Sequence, residues 1–186
     1  MTAPIVRQLI LKDLYLVRWM ILSAVVSGLV AIGLMPISAV MGYVGFVSLI
    51  CVIAILNIFL VMTAVVQERK DKVHLFVLSL PVSTTQYAAA KMLSNAIAFV
   101  VPWCILTAAA ALVIDVTTLP NGSLPFLLTV LVYLLMYYCV LLAVAMLSDS
   151  PGWHAAVITI GNVSVNFLIP FLLGLPSVSA HRAGAV

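Results

Sequence analysis

Residues 43–66 read YVGFVSLICVIAILNIFLVMTAVV and decide the fold class, because none of them is Lys, Arg, Asp or Glu. A helix needs about 20 predominantly apolar residues to cross the hydrocarbon core of a bilayer. The whole chain shares this character, since 66% of its 186 residues are hydrophobic and only 7% are charged. Soluble domains carry about 25% charged residues. The sequence therefore predicts that the solvent around this chain is lipid.

Four further windows of the same kind also lack Lys, Arg, Asp and Glu, and they cover residues 19–35, 92–114, 124–147 and 155–175. Continuous apolar windows favour helices over strands, because each helix satisfies its own backbone hydrogen bonds in lipid. The sequence predicts an all-α, polytopic membrane helix bundle of five spans. Residues 1–186 are expected to form a single transmembrane domain.

The positive charges are distributed unevenly along the chain. Seven of the eight Lys and Arg residues lie before residue 19 or within residues 67–91, and the eighth, Arg182, lies in the tail. Cytoplasmic segments of membrane proteins carry an excess of Lys and Arg, so a cytoplasmic N-terminus is predicted. The net charge of +3 is then a topology signal and not a nucleic-acid footprint, and no nucleic-acid partner is expected.

The N-terminal segment, residues 1–18, is predicted to form an amphipathic helix in the membrane interface. Its apolar residues share one side at helical spacing, and Arg7, Lys12 and Arg18 lie toward the other. Asp13 falls among the apolar residues, where a carboxylate is costly unless it is paired. Two alternatives follow: Asp13 snorkels to water, or it pairs with a cation of the segment after the second span, for which the candidates are Arg69, Lys70 and Lys72.

The segment between the second and third spans, residues 67–91, reads QERKDKVHLFVLSLPVSTTQYAAAK and holds six of the thirteen charged residues. The residue before a proline avoids the helical region, so Leu80 and Pro81 predict a break. Ser83 and Gln86 fit the capping box that starts a new helix. The predicted shape is a cytoplasmic helix–elbow–helix loop, which we call the coupling loop. Its apolar side chains either dock into a groove on a soluble partner or rest on the bilayer.

Two stretches resemble small type-2 ABC exporter permeases. LKDLYL at residues 11–16 is similar to the opening of such chains, and Glu68, LSLPVS at residues 78–83, Tyr87 and Lys91 are similar to their first cytoplasmic loop. Two features depart from the family pattern. Thr84 and Thr85 stand where the family often has Arg after the Ser, and five spans are predicted where the family usually has six.

The resemblance implies the transmembrane permease subunit of an ATP-driven exporter in a bacterial-type inner membrane. Such a subunit pairs with a second copy or a paralogue and binds separate ABC ATPase subunits, which carry ATP and Mg²⁺. No cofactor and no ATPase site are expected in this chain, so it is not predicted to be an enzyme. The residues expected to contact or orient the ATPase are Glu68, Arg69, Lys70, Lys72, Leu75, Phe76 and Leu78. The supporting residues are Leu80, Pro81, Ser83 and Gln86 at the elbow and cap, and Lys12 and Asp13 in the interfacial helix.

Polar side chains inside the spans give a second set of candidates. Asn57, Asn162 and Asn166 either line a path for an amphipathic or hydrophobic substrate or form hydrogen bonds between helices. The three cysteines match no metal-binding or disulfide spacing, so no metal site is predicted, and they are expected to be small core residues.

Three other function classes would each require different features of the sequence. A non-enzymatic membrane immunity or assembly module would use residues 67–91 to bind a partner that is not an ATPase. An intramembrane protease would need H-E-x-x-H or two aspartates within spans, and neither is present. An ion-coupled carrier would normally need an ionisable residue within a span, and the five apolar windows have none.

Overall fold

The structure is a computed structural model that describes residues 3–63, 84–117, 123–148 and 150–173. Every regular element in these ranges is a helix. The helices are α1 (Ala3–Leu34), α2 (Ala39–Val61), α3 (Thr84–Val116), α4 (Ser123–Leu147) and α5 (Pro151–Leu173). Each contains a stretch long and apolar enough to span a membrane. The predicted all-α bundle of five spans is confirmed.

The helix boundaries follow local sequence signals. Helix α1 ends just before Pro36, which has no backbone N–H to continue the helix. Helix α2 begins after Ser38, whose hydroxyl accepts a hydrogen bond from the backbone N–H of Met41 at 3.2 Å. Helix α3 begins at Thr84, directly after the predicted cap. Helix α5 begins at Pro151, which suits a first helical position.

Consecutive helices run antiparallel, and alternate helices run parallel. Asp13 contacts Lys91, and Gly28 lies against Leu106. In both contacts the residue of α3 is 78 positions after the residue of α1. Helices α1 and α3 therefore pack parallel and in register. Helices α2 and α4 are also parallel, since Phe46 stacks on Phe126 near one end and Asn57 bonds to Leu134 further along.

Helix α1 extends through both the predicted interfacial segment and the first predicted span. It is 32 residues long, or about 48 Å, which exceeds the roughly 30 Å of a hydrocarbon core. Its apolar side faces the bundle, while Arg7, Lys12 and Arg18 are exposed. This N-terminal side packs along α3. The placement of residues 1–18 at the membrane interface stays a prediction.

Helix α4 packs against α2, α3 and α5. Its buried residues are mostly leucines, with Val130, Tyr137, Tyr138 and Ala145 among them. The outer surface of the bundle carries many exposed large apolar side chains, as expected where lipid is the solvent. Cys51, Cys104 and Cys139 are exposed, so the expectation that they are core residues is wrong. In a lipid solvent an apolar thiol is tolerated on the outer surface.

One close approach fixes the α1–α2 hairpin. Gly45 faces the main-chain oxygen of Ala31, and a Cβ at this position would overlap that oxygen. Small residues allow two membrane helices to approach closely. The hairpin therefore depends on glycine at this position.

Candidate functional site

The site lies at the end of the bundle where α2 ends and α3 begins, which we call the loop end. The N-terminal half of α1 lies at the same end, because α1 and α3 are parallel and in register. Arg18 stacks over the exposed rings of Tyr15, at 3.7 Å, and Trp19, at 5.4 Å. Exposed Tyr and Trp beside a cation are typical of the membrane–water interface. Asp13 lies about 7.5 Å along the helix from Arg18, further toward the loop end.

A buried ion pair joins α1 to α3 at this end. Lys91 Nζ donates to Asp13 Oδ2 at 3.0 Å, and the two side chains are 4% and 9% exposed, respectively. Ser94 Oγ lies 3.1 Å from the same carboxylate oxygen and 3.0 Å from the carbonyl oxygen of Lys91, so its single proton serves one acceptor at a time. Asp13 is thus paired and hydrogen-bonded, as a buried carboxylate requires.

Helical spacing brings these groups together. Lys91, Ser94 and Asn95 lie at positions i, i+3 and i+4 of α3 and share one face. Asp13 and Val17 are one turn apart on the buried face of α1. This face of α3 is therefore polar at its first turns and apolar further along, and the polar part meets the only carboxylate on the packed side of the described part of α1.

The hydrogen bonds continue into α4. Asn95 Nδ2 donates to the carbonyl oxygen of Lys91 at 3.0 Å, and the Tyr138 hydroxyl donates to the carbonyl oxygen of Asn95 at 2.7 Å. The Tyr138 ring stacks on Phe99 with centroids 4.0 Å apart. We call Asp13, Lys91, Ser94, Asn95 and Tyr138 the loop-end network. It ties three helices together at the C-terminal end of the coupling loop.

The ion pair in this network fixes the arrangement of α1 and α3 more than it stabilises the fold. Desolvating two charges offsets most of their mutual attraction, so a buried ion pair adds little net stability compared with apolar residues. Removing one partner alone is expensive, because an uncompensated charge stays buried. The pair therefore holds α1 and α3 in one register and penalises any arrangement that separates them.

The alternative in which Asp13 snorkels to water is wrong, because Asp13 is buried against α3. Its partner is Lys91, a residue that the sequence pattern marked only as part of the family resemblance. The proposed partners Arg69, Lys70 and Lys72 lie outside the described residues. Because the helices extend beyond the apolar windows, both charges of the pair lie within stretches that qualify as spans. The apolar windows at residues 19–35 and 92–114 are shorter than these helices and contain neither charge.

Most coupling-loop candidates lie outside the part of the chain that the structure describes. They are Glu68, Arg69, Lys70, Lys72, Leu75, Phe76, Leu78, Leu80, Pro81 and Ser83. Gln86 lies in the first turn of α3 and is half-buried, and Lys12 is exposed on α1. Their roles toward an ATPase stay predictions.

The three asparagines do not form one group. Asn57 is fully buried and donates through Nδ2 to the carbonyl oxygen of Leu134 on α4 at 3.4 Å. This is the interhelical hydrogen bond of the second alternative. Asn162 and Asn166 lie on an exposed face of α5. The role of these three residues in a substrate path stays a prediction.

Sequence reasoning missed Ser94, Asn95 and Tyr138. A signal for the first two was present, since they follow Lys91 by three and four positions at the start of an otherwise apolar helix. No sequence signal pointed to Tyr138, because a tyrosine in an apolar window can equally be a lipid-facing or a core residue.

The comparison with known families agrees with this architecture. A family model described as ABC-2 family transporter protein matches residues 8–178. The match includes the five spans, except Arg7 at the start of the first one, together with the coupling loop and the loop-end network. No curated protein and no solved structure matches the chain. The family match covers most of the sequence, and the chain belongs to the ABC-2 transporter family as a multi-pass membrane permease.

Proposed function

We propose that this chain is the transmembrane subunit of an ATP-driven exporter in a bacterial-type cytoplasmic membrane, with its N-terminus in the cytoplasm. Residues 1–186 form one permease domain. It pairs with a second copy or a paralogue and moves an amphipathic or hydrophobic substrate outward. ATP and Mg²⁺ bind to separate ABC ATPase subunits. Family membership supports the permease and its association with such subunits.

The observation that carries the mechanism is the buried pair between Asp13 and Lys91. Helix α3 begins at Thr84, inside the coupling loop and seven residues before Lys91. A force applied to the loop reaches α3 along a continuous helix, and the ion pair passes it to α1. Helices α1 and α3 then move as one unit, since separating them would break a buried ion pair.

The charge distribution supports the orientation. The N-terminal half of α1 and both ends of the coupling loop lie at the loop end. The N-terminal half of α1 and the coupling loop together hold seven of the eight Lys and Arg residues. Positive segments stay in the cytoplasm. The loop end is therefore the face open to cytoplasmic ATPase subunits, with Leu75, Phe76 and Leu78 as the apolar docking residues and Glu68, Arg69, Lys70 and Lys72 around them.

Purification of the tagged chain from its native membrane in a mild detergent tests this function. We expect an ABC ATPase to copurify with the wild-type chain, and we expect recovery to fall at least fivefold with Leu75→Ala and Phe76→Ala combined. Ile37→Ala is the matched control, because Ile37 is an exposed apolar residue at the opposite end of the bundle. A pure chain with no ATPase and no nucleotide dependence would refute the exporter and favour the immunity or assembly module.

A further inference from the structure

Two asparagines lie inside the packed helices with part of their hydrogen-bonding capacity unused. Asn57 on α2 is 0% exposed, and Asn95 on α3 is 2% exposed. Asn57 Nδ2 donates to the carbonyl oxygen of Leu134 at 3.4 Å, and Asn95 Nδ2 donates to that of Lys91 at 3.0 Å. The side-chain oxygen Oδ1 of each asparagine has no hydrogen-bond partner among the described residues. An amide oxygen that is buried without a donor is unfavourable.

Tyr138 on α4 borders both amides. Leu134 and Tyr138 are one turn apart, so the carbonyl oxygen that Asn57 contacts is also the helical acceptor of the Tyr138 backbone N–H. The Tyr138 hydroxyl donates to the carbonyl oxygen of Asn95 at 2.7 Å. Asn57 therefore lies beside the backbone of Tyr138, and Asn95 lies beside its hydroxyl. We call Asn57, Asn95 and Tyr138 the buried polar site, where α2, α3 and α4 meet.

The unused groups define the ligand that fits this site. Each Oδ1 accepts hydrogen bonds, and each Nδ2 carries a second proton. Water both donates and accepts, and a buried water typically makes about three hydrogen bonds to polar groups that are otherwise unsatisfied. A metal cation would also bind the two oxygens, but a buried cation needs a neutralising charge. Among the described residues the only buried carboxylate is Asp13, which Lys91 already neutralises. The chemistry of the site favours water.

We propose that the buried polar site binds internal water at the side-chain amides of Asn57 and Asn95. The proposal does not depend on the proposed function. Asn95 and Tyr138 belong to the loop-end network, whose members lie on α1, α3 and α4. A bridging water is nearly as favourable as a direct hydrogen bond, so water at this site extends that network to Asn57 on α2.

Transfer of magnetisation from water protons to nearby carbons, measured by solid-state NMR, tests the proposal. The chain is labelled with ¹³C at Asn and Ala and placed in phosphatidylcholine vesicles. We expect Cγ of Asn57 and of Asn95 to receive water magnetisation at least threefold faster than Cβ of Ala110. Ala110 is the matched control, because it is fully buried on α3 and lies closer to an end of that helix than Asn95 does. Transfer to either amide that is no faster than transfer to Ala110 would overturn the proposal.

The salt in the buffer distinguishes water from a cation. If water is the ligand, replacing Na⁺ and K⁺ with N-methylglucamine leaves the transfer rates and the amide chemical shifts unchanged. A shift of the Asn57 or Asn95 Cγ signal that appears only with Na⁺ or K⁺ would overturn the proposal and assign the site to a cation.

Removing the two oxygens tests which side chains hold the water. Combined Asn57→Leu and Asn95→Leu is expected to slow transfer to Cζ of Tyr138 at least threefold, whereas Asn166→Leu, at an exposed position on α5, leaves it unchanged. Asn57→Leu alone, read at the same carbon and with the same direction expected, replaces the double variant if that variant does not fold. Unchanged transfer in a variant that keeps the wild-type helical content would overturn the assignment of the water to these amides.

Discussion

Removing one charge of the ion pair between Asp13 and Lys91 is the most informative perturbation of this bundle. Asp13→Asn keeps the size of the side chain and its oxygen toward Ser94 but leaves the Lys91 ammonium without its carboxylate. Lys91→Met keeps the length of the side chain and leaves the carboxylate with the Ser94 hydroxyl. The combined variant has neither charge. Together with the wild-type chain, these three variants form a double-mutant cycle on a single contact.

The burial of the ion pair sets the loss of stability expected when one charge is removed. The charged atoms are 3.0 Å apart, with side chains 4% and 9% exposed, so solvent screens the pair little. Breaking a buried pair from one side costs about 3–5 kcal/mol. For a chain of this size, a loss of about 3 kcal/mol lowers the midpoint of thermal unfolding by roughly 6–12 °C. The double variant should lose less than either single variant, because no uncompensated charge stays buried.

Thermal unfolding of the purified chain in detergent, followed by circular dichroism, measures all four members of the cycle. Lys12→Met is the control for removing a lysine, since Lys12 is exposed on the same helix as Asp13; it should leave the midpoint within about 2 °C of the wild-type value. If the double variant lost as much stability as the two single variants together, the charges would not be coupled. The reasoning about the loop-end network would then be wrong.

Three other contacts give predictions that the same unfolding assay measures. Gly45→Ala should destabilise the chain by about 1–3 kcal/mol, because the added methyl meets a main-chain oxygen of α1. Gly33→Ala is the control: a Cβ there would meet none of the surrounding described residues within 4 Å, so the variant should be neutral or stabilise the chain by up to about 1 kcal/mol. Equal effects of the two variants would contradict the close approach at Gly45. Asn57→Leu should change stability by less than about 1 kcal/mol, since one interhelical hydrogen bond contributes little in a membrane, and a larger loss would indicate a role beyond that bond. Tyr138→Phe should cost about 1 kcal/mol by removing the bond to α3, and Tyr15→Phe, at an exposed position, should cost nothing measurable; identical values would remove Tyr138 from the network.

The fold could be predicted because its signals are local. Uninterrupted apolar windows fix the number of spans, and Pro36 and the capping box at Ser83 mark where helices end and begin. The predicted boundary near residue 19 was not a helix boundary, because a change from charged to apolar residues marks the edge of lipid and not the end of a helix. Helix α1 continues across that edge from Ala3 to Leu34.

The site was harder to predict than the fold because it depends on which helices are neighbours. Asp13 stood out at once as a carboxylate on an apolar face, and the need for a partner followed from physics. The choice of Lys91 required the parallel packing of α1 against α3, which no local pattern encodes. The same holds for Asn57, whose partner carbonyl lies 77 residues away on α4.

The most direct test of coupling is a distance measured with and without nucleotide in the purified permease–ATPase complex in lipid. A spin label at Gln8→Cys, an exposed position at the loop end, reports the separation of α1 between two paired copies once Cys51, Cys104 and Cys139 are changed to Ala. We predict that ATP with vanadate shifts this distance, and that combined Asp13→Asn and Lys91→Met at least halves the shift while ATP is still hydrolysed. An unchanged distance in the unmodified pair during hydrolysis would contradict the coupling of ATP to this bundle.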